Sequence, residues 1–175
     1  DDQQRVRHHC PSMAQRFPKL TPEQMNPSQR EVAAEIAAGP RGEVRGPFVA
    51  LIHNPELARR LQKLGEHLRW QGKLPPRLKE LAVLVTARRW TCQHEWVMHS
   101  KLALEAGLAA GVVRAIRDGK EPQGLSEEET AVDRFCREVH ATGRTGDAAF
   151  AAIEKRFGLD GAPIALRRGG QTTLT

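Results

Sequence analysis

The sequence predicts an all-α protein, a helical bundle whose helices are joined by short loops. Three observations predict it. Apolar residues recur three and four apart, as in Leu57, Leu61, Leu64 and Leu68, so they line one side of a helix with 3.6 residues per turn. No segment alternates apolar and polar residues with the period of two that a half-buried strand requires. Helix boundaries are also punctuated, with proline just inside starts and glycine just past ends.

In chain order, Thr21-Pro22-Glu23-Gln24 reads as a helix start, with Thr21 as N-cap, Pro22 in the first helical position and Gln24 completing a capping box. Asn26-Pro27 interrupts it. A helix capped by Ser28 then runs to a stop at Gly39-Pro40. The Gly- and Pro-rich run 40–47 predicts an ordered loop, either a surface connection or a pocket lining with Arg41 or Arg45 as anion contacts. Phe48, Leu51 and Ile52 make a short apolar helical face. Asn54 caps, and Pro55 opens, a helix reaching Trp70 and ended by Gln71-Gly72. A helix over 77–89 follows, in which Leu78, Leu81, Ala82, Val85 and Ala87 form a broadly apolar cylinder with Glu80 embedded in it. Trp90-Thr91 is an elbow, and Thr91 is the expected N-cap of a helix beginning at Cys92 and closed by Gly107. A short helix spans 108–119. Ser126 and Glu129 form a capping box for a helix through His140, with Cys136 on its core face. Asp147 is the expected cap of a last helix closed by Gly158. Residues 13–160 are expected to form a single domain. Residues 1–12 lack the apolar stretch of a signal peptide and are set apart as a leader or added extension, and 161–175 as an atypical tail.

A chain of 175 residues can bury a real core. Its net charge of +6 admits nucleic acid, an anionic membrane surface or an acidic small molecule as partner. Lys and Arg are scattered at helical spacing among Asp and Glu, with no long like-charge run and no interleaved aromatics. That argues against nucleic acid and for solvated helix faces, with some arginine serving an acidic substrate. No apolar run approaches membrane-spanning length, so no membrane partner is expected. Cys10, Cys92 and Cys136 form no CxxC and no disulfide framework, which fits a reducing, cytoplasmic setting.

Chemistry concentrates in 77–107. With Cys92 at zero on an ideal helix, Glu95 falls at about −60° and His99 at about −20°. Trp96, Ala103 and Ala106 share that sector, so a thiol, a carboxylate and an imidazole lie on one largely apolar stripe. Such stripes face cores, where an unpaired charge is expensive. Glu80 poses the same conflict. It either pairs with an arginine such as Arg77 or Arg88, or is a proton carrier whose affinity is raised by desolvation. Glu95 and His99 stand i, i+4 and can hydrogen-bond within one turn. They are either a helix-stabilising pair or a proton-transfer pair in which Glu95 fixes the tautomer of His99 or holds it protonated. Cys92, near a helix N-terminus, suits a nucleophile or redox thiol. No second cysteine stands near to resolve a sulfenic acid, and packing as a small hydrophobe is its other reading. His94 projects away from the stripe, and Trp96 would wall the site. One histidine on the face is too few for a metal, and none is expected.

The segment E-L-A-V-L-x-x-A-R-x-W-x-C-x-x-E-W-x-x-H-x-x-x-A-x-x-A-G-L, Glu80 to Leu108, resembles the carboxymuconolactone decarboxylase family, which shares the alkylhydroperoxidase D-like all-α fold. The upstream GPRGEVRGPFVALIHNPELARRLQKLGEHLRW is similar to the family's longer members, and the likeness spans Leu20 to Gly158. The resemblance implies that Glu80, Cys92, Glu95 and His99 occupy catalytic positions. It implies a cofactor-free site, with Arg41, His94 and Trp96 contacting substrate. It further implies a homo-oligomer, dimer to hexamer, with sites near subunit interfaces where His94 or Arg41 can act. The redox branch carries C-x-x-C. Here Glu95 stands at the second cysteine, which argues against a two-thiol mechanism, and His94 stands where the decarboxylase branch often has Tyr.

Three functions follow as expectations. The first is a lyase or isomerase acting on a small carboxylated lactone or keto acid, with His99 as proton donor, Glu95 holding it, Glu80 in the relay and Arg41 on the substrate carboxylate. The second is a thiol-dependent peroxidase acting through Cys92. The third is a non-enzymatic helical oligomer whose polar stripe is only structural.

Overall fold

Local signals decide most of the architecture. In a computed structural model of the chain, which describes residues 17–159, eight α-helices and no strand are found among the described residues. The all-α expectation therefore holds. The expectations for 1–12 and 161–175 lie outside the described residues. The chain divides into two compact units, one ending at Arg69 and the other beginning at Trp70.

The first unit holds α1 (Pro27–Ala38), α2 (Phe48–Leu51) and α3 (Pro55–Glu66), and α3 runs into a wider π-helical turn at His67–Gln71. The Thr21 box forms only in part. Gln24 Oε1 accepts from the Thr21 N–H at 2.9 Å, but the segment stays a turn. The reason is Pro27, which disfavours helical geometry in the residue before it, and Asn26 is extended at ψ 169°. Asn26, not Ser28, is accordingly the N-cap, with Gln29 completing the box through two 2.9 Å bonds. Asn54 caps α3 as expected, accepting from the Leu57 N–H at 3.2 Å. The buried residues of α3 are Ala58 and Gln62; of the leucine series Leu57 is 44% exposed, Leu61 and Leu64 are half-buried, and Leu68, in the π-helical turn, is buried. Small Ala58 joins Val32, Ile36, Phe48 and Ile52 in the core of this unit. Arg59 ties α3 to α1 by ion pairs to Glu31 at 3.1 Å and Glu35 at 3.0 Å.

The second unit is organised around α4 (Pro76–Arg89). Helices α5 (Gln93–Glu105), α6 (Ala110–Arg117) and α7 (Glu127–Thr142) pack on it, and α8 (Asp147–Phe157) packs on α7. Every residue of α4 from Leu78 to Ala87 is buried. A helix buried on every side belongs in the middle of a bundle, and α4 is placed there, with Lys79, Glu80 and Thr86 buried among its apolar residues. Ser126 and Glu129 form the expected capping box of α7. The cap of α8 is Gly146 rather than Asp147, because the Gly146 N–H is anchored to Glu138 Oε2 at 2.8 Å.

The elbow between α4 and α5 departs from expectation. Thr91 has φ 53°, the one positive φ outside glycine among the described residues. The Cys92 N–H donates to the Ala87 carbonyl at 2.8 Å and the Thr91 N–H to the Arg88 carbonyl at 3.2 Å. These bonds form the left-handed C-terminal motif that usually carries glycine. Thr91 thus closes α4, and Cys92 becomes the N-cap of α5 with no side-chain cap bond.

Candidate active site

The elbow decides where Glu95 points. In a capping box the N3 side chain reaches back to the N-cap N–H, as Glu129 does to Ser126. Glu95 is the N3 residue of α5, but the Cys92 N–H is already engaged with Ala87. Glu95 reaches forward one turn instead, and its Oε2 lies 3.1 Å from His99 Nε2. From the middle of α4, Glu80 Oε2 meets His99 Nδ1 at 2.6 Å. One imidazole is therefore held between two carboxylates on two packed helices. The side chains of Glu80, His99 and Glu95 are 11%, 14% and 20% exposed.

This arrangement answers the conflict posed by charges on an apolar stripe. Arg77 is not the partner of Glu80, since it pairs with Glu129 at 3.1 Å and Glu128 at 3.7 Å. Arg88 instead donates from Nε to the Arg117 carbonyl at 2.9 Å. Burial pushes His99 toward the neutral form, but hydrogen bonds to Glu80 and then Glu95, with the charges of both, outweigh it. The imidazole is raised to about 9, so at neutral pH it is an imidazolium whose two N–H groups both donate. Charge-assisted bonds of this kind normally measure about 2.7–2.9 Å. The Glu80 contact is tight on that scale and the Glu95 contact is slack.

The other residues singled out from sequence are distributed as follows. Cys92 is half-buried at the N-cap of α5, and its carbonyl accepts from the Trp96 N–H at 3.0 Å. Trp96 is half-buried and His94 is exposed. Arg41 belongs to the first unit. There its guanidinium lies 4.3 Å from the Phe48 ring centroid and Nε donates to Gln62 Oε1 at 3.0 Å. Burial, then the charges of Arg69 and Arg45, lower its proton affinity. Among the described residues no group of three or more His, Cys, Asp or Glu side chains is arranged to hold a metal ion.

One pair was not anticipated. Thr86, fully buried on α4, donates its hydroxyl to the Ala82 carbonyl at 2.8 Å and lies 2.9 Å from His140 Nε2. A hydroxyl has one hydrogen, so Thr86 accepts and His140 carries its proton on Nε2. Burial, then the Arg89 charge, lower the His140 proton affinity. The only sequence signal was a hydroxyl in the apolar run of α4. Cys136 is buried, and burial with the Asp133 charge pushes its thiol up to about 12, far from the thiolate.

The site is thus a helical one in which adjacent helices close two carboxylates on one histidine. The model of the Carboxymuconolactone decarboxylase family matches residues 55–138, a stretch that contains Glu80, Cys92, Glu95 and His99. No curated protein and no solved structure matches the chain. No helix among the described residues is long and apolar enough to cross a membrane.

Proposed function

We propose that this protein is a cofactor-free acid–base enzyme, a carboxy-lyase acting on a small carboxylated lactone or keto acid. One observation carries the reading: His99 is bracketed by Glu80 at 2.6 Å and Glu95 at 3.1 Å. Loss of CO₂ from such a substrate leaves its electron pair in an extended enolate, which needs a proton on carbon. The His99 imidazolium supplies that proton through Nε2. Glu80 stabilises the charged ring and fixes its plane, and Glu95 steadies Nε2 until substrate enters. The test is CO₂ release from 4-carboxymuconolactone. Wild type should release it, and His99→Ala should lose about 10²- to 10⁴-fold in rate, the usual worth of a general acid. Full activity in His99→Ala refutes the assignment. An inactive wild type rejects the substrate.

A second reading rests on Cys92, half-buried at the N-cap of α5. Its sulfur would attack a hydroperoxide, breaking the O–O bond, releasing water or alcohol and leaving a sulfenic acid for an external thiol to reduce. An unchanged Cys92 mass after peroxide treatment excludes it.

Self-association belongs to the same proposal. Val97, Met98 and Leu104 of α5 are 55%, 52% and 47% exposed, and a second copy of the chain is the partner we assign to them.

A further inference from the structure

The bracketed imidazole can do more than protonate a carbanion left by CO₂. It stands beside a carboxylate on its slack side, so a proton acceptor and a proton donor are held 3.1 Å apart. Glu95 is the most exposed of the three groups and Glu80 the least. A substrate therefore meets Glu95 and the Nε2–H of His99, while the Nδ1 side stays anchored to Glu80.

We propose that Glu95 and His99 form a base–acid pair that enolises a 2-keto acid or similar small carbonyl compound without breaking a carbon–carbon bond, an inference that rests on the acid–base reading above. In the step, the Glu95 carboxylate takes a proton from the carbon beside the carbonyl. The C–H electron pair becomes the new C=C bond. The carbonyl π pair takes the Nε2 proton of His99 and becomes an enol hydroxyl. Glu95 is left as a carboxylic acid and His99 as a neutral ring with Nδ1–H on Glu80. The two catalytic groups are in contact, so the Glu95 proton returns to Nε2 directly and the site resets without cofactor, oxidant or reductant. Glu80 acts through His99 and is a positioning residue.

Two features make this pair suited to the task. Direct return of the proton needs the two groups within hydrogen-bond reach of each other, about 2.6–3.2 Å, and the Glu95–His99 separation of 3.1 Å meets that limit. The acid must also be present in its charged form at working pH, and His99, raised to about 9, is.

The test uses the full chain in D₂O at neutral pH with pyruvate as probe, following loss of the methyl signal by proton NMR. Decarboxylation of 4-carboxymuconolactone is measured on the same preparations. Wild type should exchange the pyruvate methyl protons well above the buffer rate. Glu95→Gln should lose about 10²-fold or more, Glu95→Asp should recover part of that, and both should melt within a few degrees of wild type. Glu80→Gln should shift the pH profile of exchange to lower pH rather than only scale it, which a merely structural role would not do. Exchange unchanged in Glu95→Gln overturns the assignment. Exchange at the buffer rate alongside active decarboxylation overturns the enolisation proposal and leaves the lyase reading standing. Absence of both activities overturns the enolisation proposal and rejects 4-carboxymuconolactone as the substrate of the lyase reading.

Discussion

Glu80→Gln removes one charge from the tight side of the His99 bracket and keeps the shape of the side chain. The magnitude follows from the geometry. His99 rises from 6.5 to about 9 because the bonds and charges of Glu80 and Glu95 outweigh burial, with the Glu80 bond the larger raising cause. At about 1.4 kcal/mol per pH unit, that difference corresponds to about 3 kcal/mol favouring the protonated folded state. The sign is that of a raised basic group. The stabilisation is complete below the unfolded value of 6.5 and is lost as pH rises through about 9. Between those limits the folded chain binds a proton that the unfolded chain does not, so wild-type stability should fall by about 1.4 kcal/mol per pH unit. In Glu80→Gln burial is opposed by Glu95 alone, so His99 should titrate well below its wild-type value and this slope should shrink or vanish. Urea unfolding at pH 6, 7, 8 and 9, with the His99 ring titrated by heteronuclear NMR, reads both quantities. A wild-type His99 that titrates near 6.5, or a Glu80→Gln titration identical to wild type, would refute the bracket as the source of the shift.

Thr91→Gly should stabilise the protein by about 0.5–1 kcal/mol, since a β-branched residue at φ 53° is strained by about 1–2 kcal/mol and glycine returns part of that as unfolded-state entropy; thermal melts and chemical denaturation check it. Thr86→Val should cost about 1–3 kcal/mol, because it leaves the His140 Nε2–H without its buried acceptor, and an unchanged denaturation midpoint would contradict the assigned tautomer. Leu104→Glu combined with Val97→Glu should reduce the mass measured by light scattering to that of one chain if α5 carries the self-contact, and an unaltered mass would place the contact elsewhere.

Helix existence was largely legible in the sequence, because proline, asparagine and glycine act locally. Asn54-Pro55 and the Ser126/Glu129 box set helix starts without help from the rest of the chain. The misses came where two local rules competed. Thr21 and Ser28 are both good caps, yet Pro27 restricts Asn26 to extended backbone and so selects Asn26. In α3 the leucine periodicity pointed to one face, while close packing on α1 favoured the small Ala58. The i, i+4 contact of Glu95 with His99 is likewise local and readable. The partner of Glu80 is not, because nineteen positions separate it from His99 and only the packing of α4 on α5 decides between His99 and an arginine.

The elbow shows most directly why the site resists a purely local reading. Cys92 and Glu95 stand three apart at a helix start, the spacing at which Asn26/Gln29 and Ser126/Glu129 close capping boxes in this same chain. In those boxes the N3 side chain folds back on the N-cap N–H. Glu95 does not, because Thr91 adopts a left-handed conformation that β-branched residues avoid, which hands the Cys92 N–H to Ala87. A cysteine side chain at the N-cap forms no cap bond either. The helix start gives up the side-chain cap bond, worth about 1 kcal/mol in an ordinary cap, while the Cys92 N–H keeps its bond to Ala87. In exchange the N3 carboxylate turns toward His99. A strained residue whose consequence is to aim a carboxylate at an imidazole fits the pattern of local strain held at functional sites, and it makes the end of α4 as much a part of the proposed chemistry as the residues of α5.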